Sequence, residues 1–122
     1  PIKLPKYSES NSCFHLMSLV SMLDHDLAIG CLSLLPNTLK EIFRNHKIKL
    51  MGVSEDEYFK SKTLVVNVLA LSPRKLILIK GYPKTQEILS KEAISIDTFN
   101  GSELCIKAEG GPTCLTRAIL RN

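Results

Sequence analysis

No apolar run in this 122-residue chain approaches the roughly 18 to 20 residues that cross a bilayer, so no membrane-spanning helix is expected. The first eleven residues are polar and include Pro1 and Pro5, which does not fit the apolar centre of a secretory leader. An initiator Met is also lacking, which points to processing or to a longer parent chain. Cysteine is sparse: Cys13, Cys31, Cys105 and Cys114 match no C-x-x-C or zinc spacing, and the three histidines do not cluster with them. No metal or other cofactor is therefore expected. With no leader, the thiols read as reduced and the protein as cytoplasmic.

What is present is an ordinary globular composition, 44% hydrophobic and 23% charged, enough for one modest domain. The net charge is +4 and the pI about 9.0. That balance alone would suit nucleic acid. Yet the densest basic stretch, residues 44–49, is interrupted by Ile48 and has no aromatic platform beside it. A solvated basic face is the expectation, with neither nucleic acid nor membrane as partner.

Strand-like and helix-like segments alternate. Apolar residues predict strands over 13–23 and 27–31, separated by Asp24-His25-Asp26. Pro36 opens a helix over 37–45, with Leu39, Ile42 and Phe43 at helical spacing. A strand over 48–53 follows, and Ser54 with Glu57 reads as a capping box. The order then recurs: strands over 63–72 and 76–80, a helix over 85–91 opened by Pro83, and a strand over 94–98. The helix openings share Pro36-x-Thr38 with Glu41-Ile42, and Pro83-x-Thr85 with Glu87-Ile88. A last strand over 113–120 would start a third unit. Units of this size cannot bury their helix and sheet faces alone, so they stack on neighbours.

The strongest local signal is Glu109-Gly110-Gly111-Pro112-Thr113-Cys114, a glycine-rich turn leading into a thiol at a strand entrance. Glycine permits positive φ or close backbone approach. Taken alone, Cys114 reads either as a small buried core thiol or as a pocket-facing nucleophile. His15, alternating with Cys13 and Met17, reads either as a hydrogen-bonded structural histidine or as an acid/base. His25 and His46 lie in polar settings and are expected at the surface, while Cys13, Cys31 and Cys105 have nothing beside them that marks reactive thiols. No acidic pair near His15 or Cys114 forms an obvious clamp for a cation.

Read together, these segments resemble the dimethylarginine dimethylaminohydrolases (DDAH). Phe14-His15-Leu16-Met17-Ser18 is similar to that family's L-H-L-K-S histidine motif. Gly81-Tyr82-Pro83-Lys84-Thr85-Gln86-Glu87-Ile88 resembles its G-Y-P-x-T-x-E helix opening, and Asn67 falls where it has an A-N-C strand. Residues 109–114 resemble its D-G-G-x-S/T-C nucleophile turn. The matches run in order over nearly the whole chain, with His15 and Cys114 99 residues apart.

The resemblance implies an α+β fold: a partial α/β propeller of the pentein, or guanidine-modifying, superfamily. About two ββαβ units, at 12–60 and 61–111, and a final strand at 112–120 would make one domain, the C-terminal half of the propeller. It further implies Cys114 as nucleophile, His15 as acid/base, and Ser18, Ala108 and Glu109 as substrate contacts. The product would be a ureido compound such as citrulline, and no metal is implied. The partner would be an N-terminal half or second subunit bringing the carboxylates that grip the guanidinium. Arginine deiminases, agmatine deiminases and amidinotransferases typically read H-x-D at the histidine. Met17 stands at that position here, which favours the hydrolase.

Overall fold

The computed structural model describes residues 2–4 and 15–119. A 3₁₀ turn, Leu16–Ser18, leads into strand β1 (Val20–Asp24), which turns at His25 and Asp26 into β2 (Leu27–Gly30). Helix α1 (Asn37–Asn45) crosses over to β3 (Lys49–Gly52), and α2 (Glu55–Lys60) follows. A second 3₁₀ turn, Leu64–Val66, then precedes β4 (Leu69–Ser72), β5 (Lys75–Ile79), α3 (Pro83–Ser90) and β6 (Ser95–Phe99). The described chain closes with a π-helical turn, Ser102–Ile106, and the short helix α4 (Pro112–Leu115).

Each half forms a three-stranded sheet of one design, β1-β2-β3 and β4-β5-β6. The first pair in each is antiparallel and joined by a tight turn, and the second is parallel because a helix intervenes. Both antiparallel pairs even carry a register irregularity at the same point, between Met22 and Asp24 and between Ala70 and Ser72. The fold class is α+β, as expected, with two ββαβ sheets.

The two sheets share one core. Leu23, Leu27 and Ile29 of the first half pack in a cluster with Tyr58, Val65, Val66, Leu76, Leu78 and Leu89. A smaller cluster lies under α1, where Leu39 and Phe43 meet Leu19, Val20 and Ala28. Burying each such side chain stabilises the fold by about 1.5–3 kcal/mol before entropy is counted. Ile42, expected to share the α1 stripe, instead lies outward at 38% exposure.

The structure corrects three strands, all at equivalent places. Residues 16–18 and 64–66 are 3₁₀ turns, and residues 112–115 are helical, so of the final strand expected at 112–120 none forms among the described residues 112–119. Cys13, and with it the expected shared face of Cys13, His15 and Met17, lies outside the described residues. The turns start at residues 16, 64 and 112, a constant step that marks α4 as the third copy of one device. Their apolar residues satisfy a strand pattern, but only those of the second turn, Leu64, Val65 and Val66, are all buried, and Leu16, Met17 and Leu115 are exposed. The capping box is corrected too: Ser54 occupies the N-cap position without a side-chain bond. Glu57 is buried and turned toward α3 instead. Among the described residues no helix is long and apolar enough to cross a membrane.

Candidate active site

Cys114 sits on α4, exposed to solvent, rather than at a strand entrance. Its surroundings come from the second of the three turns. Asn67 immediately follows that 3₁₀ turn, and its side-chain amide reaches α4 with both ends. Nδ2 donates to Cys114 Sγ at 3.1 Å, and Oδ1 accepts the Thr113 amide N–H at 3.0 Å. Thr113 Oγ1 donates to the carbonyl of Val68 at 3.1 Å, a second tie between the same segments. Asn67 is only 4% exposed, so its amide is fixed by these partners rather than by water.

Of the two uses expected of glycine in this turn, the structure shows close approach and not positive φ. Positive φ falls on Glu109 (55°), not on either glycine. Gly111 is extended (φ −84°, ψ 179°) and is required for space. A Cβ there would stand 2.3 Å from Asn67 Cγ and 2.4 Å from its Oδ1. The glycine therefore lets the Asn67 amide reach past it to Thr113 and Cys114.

His15 is exposed and begins the first 3₁₀ turn, its carbonyl accepting the Ser18 N–H at 2.9 Å. That turn packs against the second one, which leads into Asn67. It is also tied down by Tyr58, whose hydroxyl donates to the Ser18 carbonyl at 2.8 Å. Thus the turns carrying His15, Asn67 and Cys114 are successive copies of one unit. Among the described residues no hydrogen bond joins the His15 ring to Cys114. An open, largely apolar groove is lined by residues that include Met17 and Thr113.

Ser18 is half-buried, and Ala108 and Glu109 lie in the exposed turn before α4. His25 and His46 are at the surface, as expected. Cys31 and Cys105 are fully buried. Burial pushes the Cys105 thiol above its usual range, and the nearby Cys114 adds in the same direction. Asp24 is a carboxylate on the groove wall, but Arg74 Nε already binds it at 2.9 Å. Among the described residues no group of three or more His, Cys, Asp and Glu could hold a metal ion.

The sequence alone assigns Asn67 no role at the site. Its signal was physical: an Asn, disfavoured in strands, within the apolar run Thr63 to Ser72.

Comparison with solved structures bears on the fold. The amidinotransferase SxtG from Microseira wollei, of the saxitoxin biosynthetic pathway, superposes with a TM-score of 0.70 at 15% identity over 90% of this chain. Inosamine-phosphate amidinotransferase StrB1 from Streptomyces griseus gives 0.69 at 14% identity over 92%. A cysteine-to-serine mutant of DDAH from Pseudomonas aeruginosa, complexed with citrulline, gives 0.56 at 18% identity over 77%. The fold is theirs. The chain spans about a third of each of these structures, 32%, 34% and 32% of their lengths. No family model and no curated protein sequence matches this chain.

Proposed function

We propose that this chain carries the nucleophile and the acid/base of a hydrolase acting on the guanidinium group of arginine derivatives, with dimethylarginine, converted to citrulline and dimethylamine, as the leading substrate. One observation carries the reading. The exposed Cys114 thiol is held by a buried amide, on a turn equivalent to the one that His15 begins.

The Cys114 thiolate attacks the guanidinium carbon. The imidazolium of His15 gives its proton to the departing amine, and the C–N bond breaks to leave an S-linked thiouronium. Neutral His15 then takes a proton from water as the water oxygen bonds to that carbon. The C–S bond breaks as the hydroxyl proton of the adduct passes to solvent, returning the thiolate and releasing the neutral ureido product. Ser18 orients water or the leaving group, and the backbone at Ala108 and Glu109 meets the amino-acid end of the substrate. Guanidinium carries its own positive charge, so the scheme requires no metal or other cofactor.

A guanidinium held for attack also needs carboxylates. Glu57 is committed to α3, and Asp24 to Arg74. The clamp is therefore assigned to a partner: an N-terminal half on a longer chain or on a second subunit. The threefold greater length of the structural neighbours supports this. A cytoplasmic setting fits the free Cys31, Cys105 and Cys114.

A second reading has its own observation. The two amidinotransferases superpose over more of this chain than DDAH does. In that reading an acceptor amine replaces water in the second step. Met17, where amidinotransferases typically carry Asp, favours water.

The test is labelling of Cys114 by 2-chloroacetamidine, followed by intact mass, in the full chain and in its Cys114→Ser and His15→Ala variants. Fast single-site labelling that needs both residues is expected. Labelling no faster than that of free cysteine would overturn the reading of the site. If Cys114 labels selectively, supplying an amine acceptor with a dimethylarginine substrate separates transfer from hydrolysis by the product formed.

A further inference from the structure

We infer that the groove lined by the first 3₁₀ turn and Thr113 is a subsite for an extended apolar substituent on the leaving nitrogen of the substrate. The inference rests on the reading of Cys114 as nucleophile and His15 as acid/base. It names the class of guanidine that this site takes.

The place of the groove follows from the chain. His15 is followed directly by Leu16 and Met17, and Cys114 is preceded directly by Thr113; these three neighbours all line the groove. In the proposed reaction the amine departs from a carbon held by Cys114 and takes its proton from His15. Its substituent is therefore directed along the segments that border the groove. Strands β1 and β4 line the rest of it, through Met22 and Leu71, as far as the turn residues His25 and Pro73.

The lining suits an apolar occupant. Leu16, Met17, Met22 and Leu71 are exposed along it, and a continuous apolar surface of this kind marks a binding site. The polar groups beside them already have partners. Ser21 Oγ donates to the Val66 carbonyl at 2.6 Å, and Thr113 Oγ1 to that of Val68. The Asp24 carboxylate accepts from Arg74 Nε. A polar substituent would lose water there and gain no hydrogen bond, whereas an alkyl or aryl group removes apolar surface from water on both sides. The groove measures about 940 Å³, the scale of a ligand cleft, and holds far more than the methyl groups of dimethylamine. The substrate is thus an arginine derivative with a chain of several carbons on the leaving nitrogen. Water enters as before, and the products are the alkylamine and the ureido compound.

The experiment compares 2-chloroacetamidine with its N-hexyl derivative as labels of Cys114. Intact mass is followed in the full chain, and each rate is taken relative to that of free cysteine. Sulfur displaces chloride from both reagents, so the relative rates differ only by what the hexyl chain meets. The hexyl reagent is expected to label about tenfold faster or more, since a methylene buried on all sides adds about fourfold and one in an open groove adds less. Met22→Asp is expected to remove most of this gain. Leu104→Asp, at an exposed leucine outside the groove, is expected to keep it. Equal relative rates for the two reagents would overturn the inference and leave the reading of Cys114 standing; this comparison needs no variant to fold. A gain that survives Met22→Asp, or that Leu104→Asp removes equally, would also overturn it, because another surface would then hold the chain. Unselective labelling by the parent reagent is a separate result, which removes the reading of the site and the inference with it.

Discussion

Glu57, at the centre of α2, caps the helix of the following unit through Thr85. Its Oε2 accepts the Thr85 amide at 2.8 Å and the Thr85 hydroxyl at 2.7 Å, and Oε1 accepts the Lys84 amide at 2.8 Å. Thr85 is fully buried and Glu57 5% exposed. The first-turn N–H groups of α3 thus find their acceptor 27 residues upstream rather than in their own cap, since Tyr82 offers none.

Glu57→Ala should accordingly leave two backbone donors and a hydroxyl without partners. We expect a loss of about 3 kcal/mol in a urea melt, against about 1 kcal/mol for Glu57→Gln, which keeps one acceptor. Equal losses would mean that the contact adds little beyond packing.

Gly111→Ala should be costly for reasons of space, with its backbone angles left acceptable. The added methyl would collide with the Asn67 side chain. The expected cost is about 1–3 kcal/mol, with loss of selective labelling at Cys114. The double variant Asn67→Gly/Gly111→Ala, which also clears the Cβ of residue 67 that the added methyl would strike, should regain part of the stability but not the labelling. A double variant no more stable than Gly111→Ala would place the collision elsewhere.

Arg74 binds Asp24, the Glu92 carbonyl at 2.8 Å and Asp26 at 3.4 Å, and so joins the first β-turn to the second unit. It does so from a left-handed backbone (φ 57°). Arg74→Ala should cost about 1–2 kcal/mol, and Arg74→Gly less, because glycine relaxes the backbone while losing the same bonds. The reverse order in thermal melts would show that no backbone strain is stored there.

Alkali should destabilise the fold from inside. Burial raises the Cys105 thiol above its usual 9.0 and the Tyr82 hydroxyl above 10.0, with Cys114 and Glu57 adding charge repulsion in turn. Both groups hold their protons more tightly in the folded state. Their contribution is therefore complete below pH 9 and is lost as pH rises through 9 and then 10. Cys105→Ala and Tyr82→Phe should each flatten this fall in melting temperature. Unchanged slopes in both would assign the loss to other groups.

Much of this was legible in the sequence where pattern and burial coincide. Helix α1 occupies the expected residues because Pro36 sets its start and Leu39 and Phe43 fall one turn apart. The ββαβ order followed from alternation and from the paired prolines. The errors cluster in the turns that open each unit. Leu16 and Met17 extend an apolar run yet remain 47% and 40% exposed, so a strand pattern there had no sheet to serve. Leu64, Val65 and Val66 are buried, but by the shared core. Glu57 followed a local capping spacing and was claimed by a distant helix. Asn67 carries a compositional anomaly, but its partners become visible only once it and Thr113, 46 residues apart in sequence, are set side by side.

The two hydrophobic clusters draw no residue from beyond Ile106, while the nucleophile lies after it on α4. The thiol thus lies outside the stretch that supplies the core, although Asn67, which holds it, lies within that stretch. A calorimetric trace of this protein would register the loss of the sheets and remain nearly silent about the thiol. Only a chemical probe at sulfur reports whether the site is assembled.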